Sequence, residues 1–180
     1  EWIWGYKETD PMGGYDPYSC SKGCAELLTN SYRNSFFHLN NISQHGVSIV
    51  SARAGNVIGG GDWSQDRLIP DIYRSLMSNN TVQIRSPNSI RPWQHVLEPI
   101  NGYLTLIEKA YAQPLTYSGG WNFGPNEQDI KPVSWVTSKL VSKWDKNLKW
   151  EDISSCHSQN LMTEKVHKHE AKTLKLDINK

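Results

Sequence analysis

The sequence predicts an α/β fold in which strands alternate with helices. Apolar residues at helical spacing alternate along the chain with short apolar runs rich in β-branched and aromatic residues. Its composition is that of an ordinary globular protein, with 37% apolar and 21% charged residues. A chain of 180 residues is also long enough to bury a substantial core.

The first predicted helix begins at Pro17. Asp16 is a favourable N-cap, and proline is favourable at the first helical position. Apolar residues then recur at helical spacing as far as Leu39, so we expect a helix of about six turns. The apolar run at 47–50 predicts a short buried strand, and a Gly-rich loop is expected to follow over 55–62.

Three further helices and two strands are predicted beyond this loop. Helical spacing of apolar residues marks the helices near 69–76, 99–111 and 132–144. Short apolar runs mark strands at 82–84 and 121–123. From 151 to 170 the pattern weakens to that of a polar loop, and 173–176 has the pattern of a last strand.

Charge and cysteine content exclude several classes of protein. The net charge is +1 and the arginines are scattered, so we expect neither a nucleic acid nor an acidic membrane as partner. No apolar run approaches the length of a membrane span. The three cysteines are too few for a disulfide framework, which favours a reducing compartment. Cys20 and Cys24 are expected to be small buried residues rather than metal ligands, and no metal site is expected.

A tyrosine and a lysine lie four residues apart at the start of the first predicted helix. Tyr18 and Lys22 therefore share one helix face. The ammonium group and the positive end of the helix both favour a phenolate, which can accept a proton in catalysis. The spacing alone is equally typical of a solvated surface pair. The position just after a capped helix start is what favours a catalytic role.

Three later segments have ligand-binding character. Residues 53–57 follow a predicted strand, and Gly55 would let the backbone approach a ligand closely. Arg91, within 90–96, can bind a phosphate through two parallel hydrogen bonds. Asn122 can donate to a ligand or cap a turn. A flexible turn and a surface ion pair remain alternatives for the first two segments. The sequence contains neither a GxGxxG nor a GxxxxGK[ST] phosphate-binding motif.

In this order, the segments YSCSK, RAGNV, IRPWQHV and WNFGP resemble the extended short-chain dehydrogenase/reductase superfamily. They are most similar to the CDP-glucose-converting members of its NAD-dependent sugar-nucleotide epimerase/dehydratase family. This resemblance implies the C-terminal part of a Rossmann-type doubly wound parallel sheet and a small α/β substrate-binding lobe. It assigns residues 1–58 to the NAD-binding domain and residues 59–180 mainly to the substrate lobe, with some segments returning to the Rossmann domain.

The resemblance also implies a reaction and a role for each matched residue. Tyr18 would take the proton of the sugar C4 hydroxyl as hydride leaves C4 for NAD, and Lys22 would bind the nicotinamide ribose. Water is then lost across C5–C6, and the hydride returns to C6. The implied catalytic residues are Tyr18 and Lys22, the implied cofactor-binding residues are Tyr18, Lys22, Ala54, Gly55 and Val57, and the implied substrate-binding residues are Asn56, Leu68, Ile84, Arg91 and Asn122.

Within this set, Asn56, Arg91 and Asn122 would approach the diphosphate of a nucleotide-sugar substrate. Leu68 and Ile84 would line the nucleotide base. The family's Gly-rich NAD fingerprint and its dehydration acid and base are expected before Glu1, so we expect the isolated chain to lack activity. For the intact enzyme we expect a cytoplasmic homodimer in deoxysugar or O-antigen biosynthesis.

Two alternatives to this function remain open. One is another nucleotide-sugar 4,6-dehydratase or a 4-epimerase, and the other is a non-catalytic nucleotide-sugar-binding domain. The segment before Glu1 distinguishes the dehydratase from the epimerase, because only dehydration needs an acidic pair there.

Overall fold

A computed structural model describes residues 6–145 and 147–157, and these form two compact units. The first unit comprises Tyr6–Ala54 and Leu97–Gly124. The second comprises Gly55–Val96 and the described part of Pro125–Glu170. Both units contain helices and parallel strand pairs, which confirms the predicted α/β class. Along the chain, the first boundary between the two units falls after Ala54. The assignment of residues 1–58 to the NAD-binding domain and of residues 59–180 mainly to the substrate lobe stays a prediction.

The first unit is built around two parallel strands. Strand β1 pairs with β5 in a register that runs from Val50↔Gly119 to Ala54↔Phe123. Its elements are α1 (Pro17–Phe36), a 3₁₀ turn (Leu39–Asn41), α2 (Ile42–His45), β1 (Val50–Ala54), α4 (Leu97–Ala112), α5 (Pro114–Tyr117) and β5 (Gly119–Phe123).

Helix α1 begins where the sequence predicted. The carboxylate of Asp16 accepts a hydrogen bond from the Ser19 backbone N–H at 3.0 Å, and Pro17 occupies the first helical position. Hydrogen bonds from Ser19 hold the pKa of Asp16 below its ordinary value. The helix ends at Phe36 rather than Leu39, because a 3₁₀ turn replaces its last predicted turn.

The second unit contains two small sheets. The order of the first sheet is β2-β4-β6, with β2 and β4 parallel and β4 and β6 antiparallel. In the second sheet, β3 and β7 are parallel. The elements are β2 (Asn56–Ile58), α3 (Leu68–Met77), β3 (Val82–Ile84), β4 (Ile90–His95), a 3₁₀ turn (Glu127–Asp129), β6 (Ile130–Pro132), α6 (Val133–Trp144), β7 (Trp150–Asp152) and α7 (Ser154–His157).

A buried apolar cluster holds the second unit together. Ile72 on α3 and Val82 on β3 are each only 1% exposed, so most of their apolar surface is removed from water. Trp93 and Leu68 pack against this cluster from the side and are partly buried. The cluster comprises Ile72, Leu76, Val82, Ile84, Val133 and Val141.

Several predicted elements were shifted or missed. The strand predicted at 47–50 instead runs over Val50–Ala54, and the loop predicted from residue 55 contains β2. Strand β4, which contains Pro92, was not predicted. The pairing of β4 with β2 starts at Trp93, so the missing N–H of Pro92 interrupts no ladder bond there. The strand predicted at 173–176 lies outside the described residues.

Two further observations concern the surface. Cys20 and Cys24 are exposed, so the prediction that they are small buried residues was wrong. They project from α1, on which Gly23 is the buried residue. None of the helices in the described part of the chain is long and apolar enough to cross a membrane.

Candidate active site

Tyr18 and Lys22 lie together at the start of α1. The ammonium nitrogen of Lys22 is 5.6 Å from the centroid of the Tyr18 ring, which is within the range of a cation–π contact. The Tyr18 side chain is 65% exposed, so its hydroxyl is open to a ligand. The structure therefore brings the two predicted catalytic side chains onto one helix face. Their catalytic role stays a prediction.

An ion pair attaches α1 to the strand beside it. Arg53 on β1 donates from Nε to Glu26 Oε1 at 2.8 Å and from Nη2 to Glu26 Oε2 at 3.2 Å. The hydrogen bond from Arg53 holds the pKa of Glu26 below its ordinary value, against the opposing effect of burial. Because Glu26 lies one turn beyond Lys22, this pair fixes the part of α1 that carries the predicted catalytic residues.

Arg53 also connects two further segments of the first unit. Its Nη1 donates to Asn122 Oδ1 at 3.3 Å and to the Glu8 carbonyl at 3.5 Å. Asn122 Nδ2 in turn donates to the Tyr6 carbonyl at 3.4 Å. A Cβ on Gly120 would lie 2.5 Å from Arg53 Nη2, so a larger residue at this position would displace the guanidinium.

Both the oxygen and the nitrogen of the Asn122 side-chain amide therefore form hydrogen bonds within the first unit. It is 9% exposed, and its backbone N–H donates to Glu8 Oε1 at 3.0 Å. It lies in the first unit, whereas the other predicted diphosphate contacts, Asn56 and Arg91, lie in the second. Its predicted contact with a diphosphate stays a prediction.

The second unit contains a large pocket. Its volume is about 1440 Å³, which is enough for an extended ligand of nucleotide size. Four residues predicted to bind substrate line it, and each comes from a different element. They are Asn56 on β2, Leu68 on α3, Ile84 on β3 and Arg91 on β4.

Two of the arginines that line this pocket already have acidic partners. Arg74 forms an ion pair with Asp71, one turn earlier on α3, and also donates to the Trp63 carbonyl at 3.0 Å. Arg85 Nη2 lies 2.7 Å from Asp66 Oδ1. Their charges are therefore compensated by the protein itself.

Arg91 differs from the other two arginines. It is half-buried in the pocket wall, and its Nη1 donates at 3.4 Å to the carbonyl of the preceding residue, Ile90. Among the described residues, it has no carboxylate partner. The pocket thus contains one guanidinium whose charge is left for an anionic ligand.

The residues predicted to approach the cofactor lie at the junction of the two units along the chain. Ala54 is the last residue of β1, and Val57 is 41% exposed on β2. A Cβ on Gly55 would lie 2.7 Å from Pro92 Cγ, so this glycine is needed for the close approach to β4. Their cofactor-binding role stays a prediction.

Sequence reasoning missed Arg85 and Asp66 as pocket residues. Arg85 directly follows the apolar run of β3, and ligand-binding side chains often follow strands in α/β proteins, so this position was a usable signal. Asp66 has a φ of +59°, a left-handed conformation that no pattern in the sequence indicates. No group of three or more His, Cys, Asp or Glu side chains within 6–145 and 147–157 could hold a metal ion.

Known proteins similar to this chain identify its family. Residues 5–118 match the family described as the NAD dependent epimerase/dehydratase family, and this match covers more than half of the chain. The chain belongs to this family. The resemblance noted in the sequence is thereby confirmed, and NAD is confirmed as the cofactor of the family.

One curated member of the family is similar over the whole chain. The CDP-glucose 4,6-dehydratase of Salmonella typhimurium (strain LT2) is 53% identical over 180 residues. The alignment covers 100% of this chain and 47% of that protein. The chain therefore spans about half the length of the curated relative that it matches.

Solved structures of other family members share the fold. The dTDP-glucose 4,6-dehydratase of Bacillus anthracis str. Ames, determined in complex with NAD, superposes with a TM-score of 0.62 at 17% identity. The superposition covers 82% of this chain and 44% of that one. The UDP-N-acetylglucosamine 4-epimerase of Methanobrevibacter ruminantium M1 superposes with a TM-score of 0.60 at 19% identity, covering 96% and 49%. These matches confirm the Rossmann-type α/β fold.

Proposed function

We propose that this chain is the nucleotide-sugar-binding part of an NAD-dependent enzyme that converts CDP-glucose to CDP-4-keto-6-deoxyglucose. The observation that carries the proposal is the pocket of the second unit, which brings Asn56, Leu68, Ile84 and Arg91 together. The choice of CDP-glucose rests on the 53% identity with a CDP-glucose 4,6-dehydratase.

Arg91 is proposed to bind the substrate diphosphate. A diphosphate is a multiply charged anion, so it is bound best by a cation that the protein has not already neutralised. Arg91 meets this condition among the described residues, whereas Arg74 and Arg85 carry acidic partners. Asn56 adds a polar amide to the same pocket.

Tyr18 is proposed to accept the proton of the sugar C4 hydroxyl. Its exposed hydroxyl lies on the same helix face as Lys22, whose ammonium can donate to a ribose hydroxyl and stabilise a phenolate. These two polar side chains fit the ribose end of a dinucleotide. NAD, when bound, supplies the hydride acceptor and donor. The backbone at Ala54, Gly55 and Val57 is proposed to approach its nicotinamide.

The biological setting belongs to the same proposal. We place the intact enzyme in the cytoplasm as a homodimer with no nucleic-acid partner, acting in deoxysugar or O-antigen biosynthesis. The near-neutral net charge of +1 supports the absence of a nucleic-acid partner.

Calorimetric titration of CDP into the protein that carries this chain tests the pocket assignment. Arg91→Ala should weaken CDP binding roughly 10- to 100-fold, since a hydrogen bond to a charged group contributes about 1.5–3 kcal/mol. Arg67→Ala is the matched control: Arg67 is exposed, precedes α3 and lies outside the pocket lining. Equal CDP affinities of the two variants would contradict the assignment of Arg91.

Incubation of the same protein with CDP-glucose tests the reaction. A product that has lost one water, identified by mass spectrometry, is expected. A product of unchanged mass with an inverted C4 would instead establish an epimerase. Binding without turnover in the full-length protein would favour a non-catalytic nucleotide-sugar-binding domain.

A further inference from the structure

We infer that Arg85 recognises the nucleotide base and makes the pocket selective for cytosine over uracil. This inference rests on the proposed function, because it concerns the same pocket and the same substrate. It assigns to Arg85 a role in specificity that differs from the role of Arg91.

Arg85 lies at the carboxyl end of β3, in the wall of the pocket. Leu68, which is half-buried, provides apolar surface in the same pocket. A nucleobase has apolar faces and a polar edge, so it needs this combination of an apolar surface and a directional donor. The pocket wall offers both, at Leu68 and Arg85.

The charge of Arg85 distinguishes it from Arg91. Asp66 lies 2.7 Å from Arg85 and compensates its charge, so the pair as a whole is neutral. A neutral pair attracts a diphosphate weakly but suits an uncharged base edge. Arg91, which has no carboxylate partner among the described residues, suits the diphosphate. Arg85 and Arg91 thus fit two different parts of one nucleotide.

Several N–H donors of Arg85 also remain without a hydrogen bond among the described residues. A guanidinium carries five N–H groups, and the bond to Asp66 uses one of them, at Nη2. Across the described part of the chain, Nε and Nη1 of Arg85 have no hydrogen-bond partner. Parallel donors are formed by Nη2 together with either Nε or Nη1, so the second N–H of Nη2 completes such a pair with one of these two nitrogens. Asp66 therefore holds the guanidinium in place while one pair of parallel donors stays available to a ligand.

The hydrogen-bonding pattern of the pyrimidine ring decides which base fits. Cytosine presents two adjacent acceptors, N3 and O2, which match two parallel N–H donors of a guanidinium. Uracil and thymine carry a proton on N3, so the same fork would meet a donor opposite a donor. A site built for the first pattern leaves groups unpaired with the second, and such mismatches discriminate strongly.

The experiment compares CDP and UDP, which share their ribose and diphosphate and differ only in the base. Dissociation constants are measured by calorimetry for the full-length protein that carries this chain. The wild type should bind CDP about 5- to 30-fold more tightly than UDP. This is the lower part of the range for a two-bond base contact, because the Arg85 side chain is 54% exposed and water competes for its donors. Arg85→Ala should bring this ratio close to one and leave the affinity for inorganic pyrophosphate unchanged.

Arg85→Lys separates geometry from charge. Lysine keeps the positive charge but cannot donate two parallel hydrogen bonds, so it should not restore the preference for CDP. Three results would each overturn the role of Arg85. The first is an Ala variant that keeps the wild-type ratio of CDP to UDP affinity, and the second is a Lys variant that fully restores this ratio. The third is an equal weakening of the binding of CDP, UDP and pyrophosphate. A wild type that binds neither nucleotide would overturn the proposed function itself, and this inference with it.

Discussion

Removing the charge of Glu26 tests how α1 is held against β1. In Glu26→Gln the amide oxygen can still accept from Arg53 Nε, but the amide nitrogen then faces Nη2, which is also a donor. One of the two bonds, at 2.8 and 3.2 Å in the structure, is lost, and the other keeps its charged donor but no longer has a charged acceptor.

The expected cost follows from these two bonds. The bond that is lost joins two charged groups, and a hydrogen bond to a charged group contributes about 1.5–3 kcal/mol. The side chains of Arg53 and Glu26 retain 27% and 21% of their exposure, so water offsets part of the loss. We therefore expect the free energy of unfolding to fall by about 2 kcal/mol at neutral pH.

The pH dependence of this difference gives the test a second readout. The pKa of Glu26 is lower in the folded protein than its ordinary value of 4.5, so the charged form stabilises the fold above that pH. The contribution is lost as pH falls through the folded pKa, where the wild-type carboxyl becomes neutral like the Gln variant. The wild type and Glu26→Gln should therefore converge in acid.

Urea unfolding of the protein that carries this chain measures the difference at neutral and acidic pH. Glu108→Gln is the control, since Glu108 is an exposed glutamate on α4 of the same unit and has no ion-pair partner among the described residues. A Glu26→Gln variant as stable as Glu108→Gln at neutral pH, or a difference that persists unchanged in acid, would refute this account of the ion pair.

Two further predictions concern the catalytic pair and the core. Tyr18→Phe should lower kcat by roughly 100- to 10,000-fold and leave KM within a small factor, since it removes a proton acceptor without removing a binding contact. Tyr15→Phe is the control, because Tyr15 is 98% exposed. Equal kcat values of the two variants would refute the role of Tyr18 as proton acceptor. Ile72→Ala should destabilise the protein by about 2–5 kcal/mol in urea unfolding, because Ile72 is 1% exposed. Met77→Ala, on the same helix but 59% exposed, should cost far less, and equal losses would contradict the proposed core.

The sequence was informative where local chemistry decides structure. Asp16 and Pro17 predicted the start of α1 because capping depends on a few neighbouring residues. Helical spacing predicted α3 and α6, whose buried apolar residues face the core of the second unit. The ordered motifs predicted the family, which the match over residues 5–118 confirms.

Most of the three-residue strands were not predicted. Strands β2, β6 and β7 are too short for a period to be recognised, and among strands of this length only β3 was marked by its apolar residues. Strand β4 contains Pro92, and a proline fits within a strand only where its missing N–H interrupts no ladder bond. Pro92 is paired with Ile130 on β6 but has no partner on β2, and such pairing depends on segments distant in the chain.

That Tyr18 and Lys22 lie on one helix face required only helix geometry, because residues four apart on a helix share a face. Which arginine of the pocket keeps a free charge depended on contacts between segments far apart in the chain. The pairing of Arg85 with Asp66, across 19 positions, sets it apart from Arg91, and no spacing rule encodes such a contact. The sequence thus determined the helix that carries the candidate catalytic pair, whereas tertiary packing alone decided the charge distribution of the pocket.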